Sequence, residues 1–405
     1  MKTPTTRHAI VIGCGIGGPV AAMALQRAGI DATIYEAHER PADFVGSFLN
    51  LSSNGIDALR AVGADRAVLN AGFSTPRMVM WSGSGKRLGE VANGIALDDG
   101  TTSQTIQRGL LHRALRDEAS RRGIAIVQGK RLLSVERQTT GVQARFEDGT
   151  RAAADVLIGA DGLHSMTRRL IDPAAPTPRY TGLLSLGGRA LSRTLEKSPD
   201  TFHMILGRRA FFGYTVRPSG EVYWFANIGC AEEPGLEWDS SPAIWRERLR
   251  GLFADDAGPA VDIVNATDDD LAAYPIFDMP GVPRWHSGPM VITGDAAHAT
   301  SPSSGQGASL AIEDTVVLAK CLRDTRDIGQ AFATYESLRR KRVERVVRYS
   351  ARIGRAKSAG PIGRWFRDLC MPVALRLFAR PDAHAWLYRH HIDWSERVSP
   401  LASAA

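Results

Sequence analysis

Residues 8–36, HAIVIGCGIGGPVAAMALQRAGIDATIYE, restrict the fold more than any other stretch of the chain. Ala9 to Ile12 form a short, largely β-branched run suited to a buried parallel strand. Gly13, Gly15 and Gly18 follow at G-x-G-x-x-G spacing. Val20 to Ala28 are strong helix formers, and Gly29 can stop that helix. Residues 32–35 read as a second strand with Glu36 at its end. The first glycine permits a tight turn, the second lets a pyrophosphate approach the backbone, and the third lets helix and strand pack closely. The helix N-terminus offers free N–H groups and a positive dipole end to phosphates. Glu36 stands 18 residues past Gly18, where an acid accepts hydrogen bonds from ribose hydroxyls. Together these parts predict a dinucleotide-binding βαβ unit, without choosing between NAD and FAD.

The 405 residues suffice for two domains or one large composite domain. No long apolar run escapes charges and glycines, so no transmembrane helix and no stable membrane insertion are expected. Lys2 and Arg7 precede an apolar stretch, but that stretch is already used as strand, loop and helix, which argues against a secretory signal. The four cysteines, at 14, 230, 321 and 370, lack metal or redox spacing, so no metal is expected and a reducing cytoplasm fits. The formal net charge is +7, and residues 323–357 alone hold eleven Lys/Arg against four Asp/Glu. A solvated helix face accounts for that run better than a nucleic-acid partner.

Further along, residues 46–51 read as a strand, 54–62 as a short helix, and 71–97 as a segment holding a hairpin about SGSGK. Residues 105–122 read as a helix with Arg108 in its first turn, where a cation opposes the dipole unless an anion also binds. Strands are expected at 124–127, in a meander over 132–153, and at 155–158, followed by the turn Ala160, Asp161, Gly162 and a helix that Ser165 can cap. From about 180 to 283 the pattern changes to period two, the mark of a mostly antiparallel sheet. Its aromatics Phe212, Tyr214, Tyr223 and Trp224 are candidates for a flat substrate pocket, although simple core filling accounts better for any given ring. Residues 289–322 return to the first module with a buried strand, the tip Gly294-Asp295, a glycine loop and a long helix. The remainder is helical, including an amphipathic basic stretch at 365–380 that suits packing on its own domain better than a membrane surface.

Gly13, Asp161-Gly162 and Gly294-Asp295 thus end strands at one edge of one sheet, where ligands of open α/β sheets sit. With the glycine fingerprint, the D-G segment (155–165) and the G-D segment (294–307) all in place, the chain resembles the single-component FAD-dependent aromatic hydroxylases of the para-hydroxybenzoate hydroxylase type over residues 8–350. The resemblance implies an α/β fold: a Rossmann-like FAD-binding domain with a parallel sheet (1–72, 98–175 and 287–330), interrupted by a mostly antiparallel β-sheet substrate domain (73–97 and 176–286), then C-terminal helices (331–405).

It also implies residue roles. Gly13, Gly15, Gly18, Glu36 and Ala37 would hold the adenosine ribose and pyrophosphate of FAD, with Arg108 on the pyrophosphate and the Leu132 main chain on the adenine. Asp161 is tied to FAD and NAD(P)H binding, and Asp295 to the ribityl or ribose side of the pyrophosphate region. Gly305, Gln306, Gly307, Ala308 and Ser309 would offer backbone N–H groups to the pyrimidine end of the flavin, where a helix N-terminus stabilises reduced, anionic flavin. NADPH or NADH would be a transient co-substrate, because a single dinucleotide fingerprint exists. The implied reaction is hydroxylation of an electron-rich aromatic or polycyclic molecule by dioxygen through a flavin C4a-hydroperoxide, with the cofactor carrying the hard chemistry and no side-chain nucleophile required. His298 reads as structural rather than as a catalytic base. Two rivals stay open: a flavin-dependent reductase or epoxidase of an isoprenoid-type substrate, and a non-enzymatic binding protein on a flavoprotein fold.

Overall fold

The computed structural model describes residues 6–41, 48–235, 241–267, 271–279, 281–356, 368–375 and 381–400. A six-stranded sheet runs in the order His286–Ser287, Met290–Ile292, Val156–Gly159, His8–Ile12, Asp31–Tyr35, Ala125–Val127. Every neighbouring pair is parallel except the first. Parallel strands are covered on both faces, and accordingly Ala9, Ile10, Val11, Val156, Leu157, Ile158, Val291 and Ile292 are all fully buried. Helices Gly17–Arg27 and Gly307–Asp324 pack on each other, and Ser53–Arg60 packs on the second of them. The meander predicted from sequence forms a small sheet of Leu132–Arg137, Val142–Phe146 and Arg151–Ala154.

A seven-stranded sheet follows the order Ala272–Asp278, Arg179–Leu191, Glu221–Gly229, Phe211–Val216, Ser198–Leu206, Arg77–Ser82, Arg87–Ala92. It is antiparallel apart from the pairing of Ser198–Leu206 with Arg77–Ser82. The period-two pattern sorts its side chains. Leu184, Phe212, Trp224 and Ile228 face helices Pro242–Phe253 and Ala260–Asn265 and form a core with Trp245, Leu249 and Phe253. Tyr223 and Phe225 alternate with these and take the other face.

Two local expectations change. The helix expected from residue 105 begins at Arg108 and runs Arg108–Arg121, while Gln104–Gln107 is a strand paired with Phe48–Leu51. Thr105 and Ile106 are β-branched and buried, and the Thr105 hydroxyl meets that of Thr75 at 2.8 Å, so sheet burial overrides the helical continuation. Strand Ala272–Asp278 is an addition that the sequence pattern did not single out.

The basic C-terminal stripe is a solvated helix face, with Lys341, Arg345, Arg348 and Arg352 exposed. In helix Ile328–Ala356, Arg345 lies 3.8 Å over the Trp386 ring, Arg342 donates to the carbonyls of Trp386 and Leu387, and Arg348 pairs with Glu344. Of the amphipathic stretch expected at 365–380, residues 368–375 are helical and the rest lies outside the described residues; Met371 packs against the cluster of Leu88, Leu206 and Phe211. Among the described residues, no helix is long and apolar enough to cross a membrane.

Candidate functional site

Strands His8–Ile12, Val156–Gly159 and Met290–Ile292 are adjacent and parallel, so the turns after them fall at one sheet edge. In the first turn Gly13 adopts φ +100°, and a Cβ there would stand 2.6 Å from the Ala160 carbonyl oxygen. A Cβ on Gly18 would lie 1.9 Å from the Gly13 carbonyl oxygen, so helix and turn touch backbone to backbone. Gly15 differs: its Cβ would meet nothing within 4 Å. That glycine faces open space at the rim of a cleft of about 650 Å³, where a diphosphate can lie against the main chain.

Gly13, Gly15, Glu36, Ala37, Arg108, Leu132 and Asp161 line this cleft together. The Glu36 carboxylate accepts from Cys14 N at 2.7 Å and His38 N at 3.0 Å, one donor per oxygen, which leaves lone pairs for ribose hydroxyls. Arg108 stands exposed on the cleft wall. Sequence reasoning missed Arg116, Gln128 and Arg169, which also line it; they carry no motif, and only tertiary folding brings them there.

Asp161 acts on its own turn. Its carboxylate accepts from the Ser165 hydroxyl at 2.6 Å and from the Thr167 N–H and hydroxyl, both at 2.9 Å, while Ser165 caps the next helix through Arg168 N at 2.9 Å. Asp295 opens helix Asp295–His298 after Gly294, whose φ of +60° no side chain adopts readily. The Asp295 side chain is open to solvent on one side, yet protein packs closely around its base. That packing raises its carboxyl above the usual range, against the pull of His298 and Arg108, so Arg108 and Asp295 sense each other's charge. Asp295 and residues 305–309 lie beyond the cleft lining, along the same edge.

Gly305 adopts φ +65° and turns the chain into helix Gly307–Asp324. No side chain caps that helix, so its first N–H groups keep their donor capacity. His298 is buried against Asp314.

The aromatic expectation is revised for three of its four residues. Phe212 and Trp224 stack at 5.3 Å inside the helix-side core, and Tyr214 stacks on His203 at 4.7 Å. Strand alternation puts them on one face, and the packing of helices Pro242–Phe253 and Ala260–Asn265 makes that face core. Tyr223 faces the other way, into a group with Phe48, Phe73, Phe202 and Phe225 at ring separations of 5.7 to 5.9 Å. Phe48 begins the strand that carries Asn50, and Asn50 lies against Gly305, which sets this group beside the glycine loop.

The groups at this edge fit FAD: an open diphosphate cradle at Gly15, a ribose acceptor at Glu36, a cation at Arg108 and an uncapped helix end beyond. A family model described as "FAD binding domain" matches residues 6–350. The chain is 31% identical over 373 residues to an aurachin C monooxygenase/isomerase of Stigmatella aurantiaca, covering 90% of this chain and 91% of that one. It is 33% identical over 396 residues to the 3-amino-4-hydroxybenzoate 2-monooxygenase PtnB3 of Streptomyces platensis, covering 93% and 94%. Among solved structures, Klebsiella pneumoniae HpxO complexed with FAD and uric acid superposes with a TM-score of 0.82 at 26% identity, over 94% of this chain and 97% of that one. The family model, the long relatives and the cofactor edge agree, and the chain belongs to the FAD-binding-domain family of flavin-dependent aromatic monooxygenases.

Proposed function

We propose that this chain hydroxylates an aromatic or polycyclic small molecule with NADPH or NADH and dioxygen, in the cytoplasm. The observation that carries this is the alignment of three motif turns on adjacent parallel strands, beside the aromatic group around Tyr223. FAD, when bound, supplies electron transfer and oxygen activation. The chain does the rest. Glu36 and Arg108 bind the adenosine and pyrophosphate ends, assisted by the turns at Gly13 and Asp161. Asp295 and the N–H groups of residues 307–309 hold the far half, and those N–H groups favour negative charge there. Phe48, Tyr223 and Phe225 orient a flat ring and exclude water, which an oxygenating site requires. Four free cysteines suit a reducing compartment.

Titration with FAD, followed by NAD(P)H and O2 consumption across phenols, N-heterocycles and polyketide aromatics, tests this reading. Stoichiometric hydroxylated product supports it. NADPH oxidation that needs no oxygen favours the reductase rival, and failure to bind FAD favours the binding-protein rival.

A further inference from the structure

Glu313 and Asp314 are consecutive acids in helix Gly307–Asp324, and both are fully buried. Each reaches a different cofactor segment. Glu313 Oε1 accepts from Asn54 Nδ2 at 2.7 Å and from Arg342 Nη2 at 2.8 Å; Oε2 accepts from Arg342 Nε at 2.8 Å and forms an ion pair with Arg339 Nη2 at 2.7 Å. Asn54 spends its other amide hydrogen on Gln306 Oε1 at 3.0 Å. Gln306 Nε2 in turn donates to Ser52 Oγ at 3.0 Å. Gln306, at the head of the glycine-loop helix, is therefore held at both ends of its amide and is itself fully buried. Asp314 Oδ2 accepts from Gly294 N at 3.1 Å and pairs with His298, while Oδ1 accepts from Arg339 Nε at 2.6 Å. Arg339 bridges the two acids.

Such a bracket is more than balanced charge. A buried carboxylate engaged at both oxygens holds its partners in one geometry, and removing a partner strands a polar group. Asn54 also ties the loop without belonging to an ion pair.

We propose that Glu313 and Asp314 are positioning residues that set the separation between the Gly294 turn and the loop at 305–309, with Asn54 and Ser52 transmitting the setting to Gln306. The inference rests on the reading of that loop as the flavin-facing one. It gives the buried acids a role toward the cofactor although neither touches it, and it joins the two motifs into one unit to which Asn54 is tied through Gln306 and Glu313, 252 and 259 residues away.

The test uses the full chain with FAD. Asn54→Ala and Ser52→Ala each remove one tether of Gln306 and leave both ion pairs intact. Each is expected to weaken FAD binding about tenfold, the consequence of one stranded buried amide group. Each is also expected to change the visible circular dichroism and the midpoint potential of bound flavin, which a loss of general stability does not move. Glu344→Gln, at an exposed pair, serves as the control and leaves all three unchanged. Lowered melting temperature with unchanged FAD affinity, dichroism and potential in both variants overturns the inference. Should Asn54→Ala fail to fold, Ser52→Ala decides alone. Should the wild-type chain not bind FAD, the functional reading above fails instead.

Discussion

The Arg168 guanidinium donates to the Ala296 carbonyl oxygen at 2.9 Å, across 128 residues of sequence. A second donor of the same group reaches the Leu163 carbonyl at 2.8 Å. One buried cation thus ties the turn after Val156–Gly159 to the helix after Met290–Ile292. Burial lowers its pKa, and the Asp161 charge opposes that shift.

Replacing this group exposes its worth. Arg168→Met strands two carbonyls in the interior and is expected to cost about 3 kcal/mol of stability. Chemical denaturation of the two proteins measures the difference. FAD is expected to weaken in parallel, because both turns loosen.

The fingerprint glycines should separate cleanly. In Gly18→Ala the new Cβ meets the Gly13 carbonyl oxygen at 1.9 Å, and the backbone must give way. A loss of at least about 3 kcal/mol, or failure to fold, is expected. Gly15→Ala places its Cβ in open space, so the melting temperature should hold while FAD affinity falls. Equal effects of the two substitutions on melting would contradict this division.

Arg108 faces the cleft from an exposed position, so Arg108→Gln should leave folding unchanged. FAD dissociation is expected to rise about tenfold. The wild-type affinity should fall with added salt, and the variant's should fall less, because the screened charge is gone. Fluorescence titration at several ionic strengths reads both.

Acid should destabilise the chain in two steps. Burial, aided by Arg342 and Arg339 and opposed by Glu313, lowers His390 from its usual value to about 4, so the folded state holds it neutral. Below pH 6.5 the unfolded chain takes up that proton first, and stability drops as pH falls toward 4. Burial raises Glu313, but Arg339 and Arg342 outweigh it and hold the carboxyl at about 2. Its contribution is complete above pH 4.5 and disappears as pH falls toward 2. His390→Asn should flatten the upper step and spare the lower one in denaturation measured across pH.

The two faces of the large sheet give a final comparison. Tyr223→Ala should raise KM for the aromatic substrate and divert NAD(P)H oxidation from product. Phe212→Leu, on the opposite face, should lower stability by about 1–2 kcal/mol and leave KM alone. Coupled product and NAD(P)H assays separate these outcomes.

Local sequence was enough for the βαβ unit, the three motif turns and the change to period two, since each rests on contacts within some 30 residues. Glycine spacing, β-branched runs and caps such as Ser165 act over that range. The helix start at Arg108 escaped it, because Thr105 and Ile106 follow their strand partners Asn50 and Leu49 rather than the helix ahead. The same holds for the direction of Phe212 and Trp224: alternation divides a strand into two faces, and only the packing of helices Pro242–Phe253 and Ala260–Asn265 says which face is core.

The sequence by itself determined that a dinucleotide lies along a parallel sheet edge, because glycine sterics and strand periodicity are properties of neighbouring residues. Only the tertiary structure decided which distant groups steady that edge. Arg168 on Ala296, and Glu313 on Asn54 and Arg342, are pairings of buried polar groups across tens to hundreds of residues. Their partners are chosen by what else is desolvated nearby, and chain order does not encode that.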